Sequence, residues 1–318
     1  WLKALPGPAA QIASAMDVDS EGGRWAQNDD SVAWCDTVEA LVAALREGRF
    51  DVEIGGVEEP GPFLQVLAEA APQLQSLSLC GCNLDATSLV QLGRALAPSQ
   101  IRGIGVSNNP GVDVQTWASF WDLLPRSILK WDFGDDELPD EALPALVRAV
   151  GRGSGVHELL LDGNDFADLG PLLPAVTAAS GLRELDVGDN DVADAQVLAL
   201  AAALPGSCLT TLVLGRNPIT DAGAVALAGV LPQTRIGVLY LDTTQVGDAT
   251  LDALAQVLSC TQLEELHVDE TRVGDAGVLR FLRAVPASKL SVLDAGDSGL
   301  SQETMAAIRA ALPDDDAL

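Results

Sequence analysis

The sequence predicts an α/β solenoid: a right-handed horseshoe of about ten strand–helix repeats, with a parallel sheet on the concave face and helices on the convex face. Three observations carry this. An apolar frame recurs at near-constant spacing along most of the chain. Within each period an alternating, strand-like segment precedes a helically spaced one. The composition is 48% hydrophobic but only 4% aromatic, so the core is aliphatic and suited to thin repeated layers rather than to one large globular interior.

The frame is plainest from Leu209, in LTTLVLGRNPITDAGAVALAGVLPQTR, where apolar residues fall at offsets 0, 3, 5 and 10 and again at 15, 18 and 22. Its zero positions are Leu74, Ile101, Ile128, Val156, Leu182, Leu209, Ile236, Leu263 and Leu290, spaced by 26 to 28 residues. One step earlier it lands on Glu47, with Phe50, Val52 and Val57 in register, as a degenerate first repeat. Offsets 2 to 6 make a short strand. Offset 8 is a turn position held by Cys82, Asn109, Asp136, Asn164, Asn190, Asn217, Thr244, Thr271 and Ser298, side chains that can satisfy backbone groups the turn would bury unpaired. Thr and Ser do this less completely than Asn, which predicts a looser C-terminal end. Thr220-Asp221, Gly247-Asp248 and Gly274-Asp275 open helices. Leu204-Pro205-Gly206 closes one, and Ser301 to Leu312 is the last.

Residues 1–46 are expected to form an N-terminal capping segment. Within it Asp36 and Glu39 make a capping-box pattern opening a helix that Gly48 ends, and Trp1, Trp25 and Trp34 cover the first repeat or anchor a partner. The solenoid is expected over 47–313, and an acidic tail over 314–318. Trp117 and Phe120 are expected in the core, with Trp121 on the flank and open to a convex-side partner.

The pattern LxxLxLxxNxI followed by TDAGAxxLAxxL resembles leucine-rich repeats of the ribonuclease-inhibitor-like subtype, over roughly residues 47 to 313. That resemblance implies a horseshoe fold and protein binding. It is specific for fold and weak for function. In repeat type the chain also resembles Ran GTPase-activating proteins, which implies regulation of a small GTPase, although no functional residue of that group has a match here.

The charge narrows the partners. With 46 Asp plus Glu against 18 Lys plus Arg, a net charge of -28 repels nucleic-acid phosphates and anionic membranes and favours a basic protein surface. Offsets 2, 4 and 6 face the concave space in nine clear repeats, and nine of those 27 positions are acidic against 46 in 318 overall, so the inner face is selectively acidic. The candidate partner-binding residues are Asp132, Glu158, Asp162, Glu184, Asp186, Asp242, Glu265, Asp269 and Asp294, with Tyr240 and His267 among them as contact candidates. Asp189, Glu270 and Asp297 at offset 7 extend the stripe. Small residues, including Ser76, Ser78, Gly103 and Gly105, line the inner face of the first two clear repeats.

No cofactor is expected. The acids around Asp186, Asp189, Asp191 and Asp194 lack EF-hand spacing, so no metal site is expected either. With His157 and His267 in different repeats, no nucleophile–base set converges, and the chain is expected not to be an enzyme. Five cysteines without a paired framework are expected to be reduced thiols in an intracellular compartment, cytoplasmic or organellar after loss of a leader peptide. The expected function is that of a protein-binding scaffold or adaptor. The alternative is an accessory subunit built into a large multiprotein assembly.

Overall fold

The structure is a computed structural model that describes residues 32–312 apart from 154 and 178–180. Most of the expected capping segment, including Trp1 and Trp25, and the whole acidic tail lie outside the described residues. The chain divides into two compact units, Trp1–Asp136 and Glu137–Leu318.

In the first unit, strands β1 (Ala33–Cys35), β2 (Asp51–Gly55), β3 (Ser76–Cys80), β4 (Gly103–Ser107) and β5 (Lys130–Asp132) pair in parallel in chain order. Helices α1 (Val38–Arg46), α2 (Gly61–Ala70), α3 (Ala86–Leu96) and α4 (Val114–Leu123) alternate with them. Strand β1 was not expected: it lies fewer residues ahead of β2 than the repeat length, yet buries Ala33 and Cys35 and leaves Trp34 half exposed, as a strand with one covered face must. The cap of α1 is Thr37 rather than Asp36, because the Thr37 hydroxyl accepts from the Ala40 backbone N–H at 3.2 Å. Gly48 does follow that helix, at a φ of +80°.

The second unit repeats the scheme. Its strands are β6 (Glu158–Leu160), β7 (Glu184–Asp186), β8 (Thr211–Val213), β9 (Val238–Tyr240), β10 (Glu265–His267) and β11 (Val292–Asp294). Its helices are α5 (Leu143–Val150), α6 (Leu173–Val176), α7 (Asp194–Ala203), α8 (Asp221–Val230), α9 (Asp248–Val257), α10 (Asp275–Phe281) and α11 (Gln302–Ala311). Register is set by one leucine per strand: Leu185 opposes Leu212, Leu212 opposes Leu239, and Leu239 opposes Leu266, all buried beneath the helices. A slip of one residue would turn that column to the other face.

Three periodic devices hold the turns. The residue after each strand segment, one before the expected turn position, is left-handed. Glycine serves at Gly81 and Gly163, and Asn108, Asp135, Asp189, Arg216, Thr243, Glu270 and Asp297 adopt φ of +47° to +56°. Next comes a polar ladder. The Asn217 amide donates to the carbonyls of Val187, Leu214 and Gly215, while its oxygen accepts from the Val192 N–H at 2.8 Å. Asn109, Asn164 and Asn190 make equivalent bonds. Thr244 donates only to the Leu241 carbonyl, and Thr271 to that of Val268. A hydroxyl has one proton where an amide has two, as expected for the C-terminal turns. Third, aspartates at helix starts reach into the following repeat. Asp194 accepts from Thr220 and Gly223, Asp221 from Gly247 and Thr250, Asp248 from Gly274, and Asp275 from Ser301.

Trp121 is not on an open flank. It is fully buried, stacked on Trp117 at 5.6 Å, with Phe133 edge-on to both. Helix α4 starts at Val114, and its rotation carries Trp117, Phe120 and Trp121 inward together. Trp117, Phe120, Trp121, Trp131 and Phe133 thus form one aromatic cluster in the first unit of this otherwise aliphatic chain.

Candidate functional site

Side chains at offsets 2, 4 and 6 lie on the sheet face turned away from the helices, so the candidate residues share a face within each unit. Their environments differ by column. The middle column is flanked by neighbouring strands on both sides, and its Asp186 is 2% exposed between Leu160 and Val213, with its Oδ1 accepting from the Gly188 N–H at 2.9 Å. Asp132 is buried as well. These two acids were expected on the open surface. The structure instead uses Asp186 to tie its own turn, a local bond that short acidic side chains favour. Asp294 makes the same bond to Gly296 at 2.9 Å but keeps part of its side chain open. Asp189, Glu270 and Asp297 occupy the left-handed turn position, so a backbone requirement accounts for a short polar residue at Asp189 and Asp297 without any ligand.

The acids that remain accessible on the second unit's face are Glu158, Asp162, Glu184, Asp242, Glu265, Asp269 and Asp294. Their densest grouping surrounds His267. Strand register places Tyr240 on one side of it and Asp294 on the other. The Tyr240 and His267 rings stack at 4.1 Å and 10°. The His267 Nε2 lies 3.9 Å from the Glu265 carboxylate, and its Nδ1 lies 4.0 Å from that of Asp294. Burial, then the neighbouring carboxylates of Asp294 and Asp242, push the Asp269 carboxyl up to about 6. The pairing His267–Asp294–Asp269 depends on cross-strand register and was not legible from spacing along the chain.

The first unit's face has another character. Glu53, which sequence spacing did not single out, is 3% exposed, and its Oε2 has no hydrogen-bond partner among the described residues. Burial, with the Asp132 charge adding, raises its carboxyl to about 7. Trp34 opposes it in register and lays its indole over Gly55, where a Cβ has no room. Ser78, Gly103 and Gly105 continue a small-residue floor, as expected. The cysteines form no disulfide; burial pushes the Cys35 and Cys82 thiols up to about 11 and about 12, which leaves them neutral and unreactive. No helix among the described residues is long and apolar enough to cross a membrane.

Stacked parallel strands, a helix per repeat and an asparagine ladder at the turn define a leucine-rich-repeat fold. The leucine-rich-repeat family model matches residues 207–228, from two residues before Leu209 into helix α8. No curated protein sequence matches the chain. Among solved structures, the yeast Rad7–Elc1 complex aligns at a TM-score of 0.53 and 15% identity, covering 84% of this chain and 72% of the other, which shows a shared fold. An internalin from Listeria monocytogenes str. 4b F2365 aligns at 0.48 and 18% identity over 86% of this chain and 68% of its own. Actin-binding site 2 of leiomodin-1 aligns at 0.42 and 18% identity over 46% of this chain and 87% of its own.

Proposed function

We propose that this protein is a non-catalytic binding scaffold that holds a basic protein surface on the acidic open face of its second unit. The observation that carries this is the row of accessible carboxylates on one sheet face, from Glu158 through Glu184 to Glu265, whose side chain is 42% exposed. These three glutamates stand at the same offset of their repeats, outside the core, and a cationic surface is their natural complement. The Tyr240–His267 stack adds a flat, partly apolar surface among the charges, of the kind that anchors interfaces. Rad7, similar in fold, is a protein found in a complex with a second protein, which supports the same direction.

The test reverses accessible charges on this face. Glu158→Lys, Glu184→Lys and Glu265→Lys together leave the turn-tying Asp186 intact. Tagged wild-type and triple-variant protein would be incubated with native extract at about 0.15 M and about 1 M salt, where the screening length falls from about 8 Å to about 3 Å. Retained proteins would be identified by mass spectrometry, with circular dichroism checking both folds. A basic partner kept by the wild type, lost by the variant and weakened by salt supports the proposal. Identical partners on both proteins would refute it. A stoichiometric partner kept through high salt by both would favour a built-in subunit of a larger assembly.

A further inference from the structure

We propose that His267, Asp269 and Asp294 form a binding site for one divalent transition-metal ion of the zinc class. Among the described residues this is the one group of histidine, cysteine or acidic side chains whose ligand atoms converge, with one atom of each within 4.8 Å of the others. The donor set is a nitrogen and two carboxylate oxygens, a combination that suits zinc. The three residues come from two adjacent strand segments: His267 and Asp269 alternate on one chain, and Asp294 stands opposite His267 in register. Two of the three ligands therefore stand on paired strands, and Asp269 follows two residues after the end of its strand.

The imidazole distinguishes this place from a simple patch of acids. Its plane is held by the parallel stack with Tyr240. Its Nδ1 faces Asp294 at 4.0 Å and its Nε2 faces Glu265 at 3.9 Å, so the two ring nitrogens point to carboxylates on opposite sides. Nε2 is sealed from solvent and makes no hydrogen bond among the described residues. A histidine with a metal on one nitrogen and a carboxylate hydrogen-bonded behind the other is the usual outer-shell arrangement, which fixes the tautomer and raises the basicity of the ligand; Glu265, at 3.9 Å, would have to close by about 1 Å to make that bond. No lysine or arginine among the described residues forms an ion pair with Asp269 or Asp294, which leaves their charge for a cation to neutralise. At metal–ligand distances of about 2.0–2.2 Å, tetrahedral ligands stand about 3.4 Å apart. Side-chain rotations closing the present gaps, of up to 4.8 Å, by at most about 1.4 Å would complete the site, with water in the fourth position.

This inference goes beyond the scaffold proposal and does not depend on it, because the probe is the metal alone. The purified full chain would be titrated with zinc chloride by calorimetry, and with cobalt(II) to read the visible bands of a nitrogen- and oxygen-ligated ion. The expected result is one equivalent bound, weakened at least tenfold by His267→Gln and by Asp294→Asn, and weakened about tenfold by Glu265→Gln acting through the ring. A control pair, Glu158→Gln with Glu184→Gln, removes two charges from the same face and is expected to leave affinity unchanged within twofold. Circular dichroism would establish that each variant folds. Absence of binding below millimolar zinc would overturn the proposal, as would binding that survives His267→Gln or falls equally in the control pair. The last result would mean diffuse attraction to a chain of net charge -28.

Discussion

Glu53→Gln probes the first unit through a single proton. The folded chain holds the Glu53 carboxyl at about 7 against an ordinary value of 4.5, first because it is buried and second because Asp132 stands near. The neutral form is therefore favoured by folding. The stability this contributes is complete below pH 4.5, where both states are protonated, and is lost as pH rises to about 7. Between those values the unfolded chain releases a proton that the folded chain retains. Each pH unit costs about 1.4 kcal/mol, so the whole window costs about 3 kcal/mol. Glutamine has the shape of the neutral acid and does not titrate. The variant is therefore expected to match the wild type near pH 4 and to exceed it by about 3 kcal/mol at pH 8. Urea unfolding followed by tryptophan fluorescence at several pH values measures this directly, since every tryptophan of the chain lies in Trp1–Asp136. Taking the difference between the two proteins cancels the other titrating groups. Parallel stability curves across pH 4 to 8 would refute the assignment of a buried neutral Glu53.

Further predictions concern the turns. Asp136 occupies a ladder position where Asn109, Asn164, Asn190 and Asn217 offer an amide, and burial holds its carboxyl well above the usual range, so Asp136→Asn is expected to stabilise the protein at pH 8 and to lose that advantage towards pH 4, as read by the same urea series. Thr243, a β-branched residue at a φ of +51°, is expected to gain about 1 kcal/mol on replacement by glycine, measured by urea midpoint; a loss would show that its bond to Glu270 outweighs the strain. Asp221→Ala removes the acceptor of the Gly247 and Thr250 N–H groups and is expected to cost about 1–2 kcal/mol, most of it recovered in Asp221→Asn, which keeps the oxygen.

What the sequence by itself determined was the repeat from Leu74 onward: where its strands begin, which leucines share a column, and which turns carry an asparagine; the frame placed one step earlier, on Glu47, is out of register, because Val52 pairs with Leu77 and Ile54 with Leu79. Those features are local or strictly periodic, and a side chain's face follows from its offset alone. The helix starts at Asp221, Asp248 and Asp275 fell as expected for the same reason. Tertiary structure decided what cannot be periodic. Whether an acid on the open face meets water depends on its neighbours in adjacent strands, so Asp186 between Leu160 and Val213 is buried while Glu184, two residues away, is not. The rotation of α4 took Trp121 into the core, and a short first period hid β1 and left Glu53 unnoticed beside Trp34. The convergence of His267, Asp269 and Asp294 likewise required the register of β10 against β11, because residues about one repeat apart become neighbours only when the strands pair.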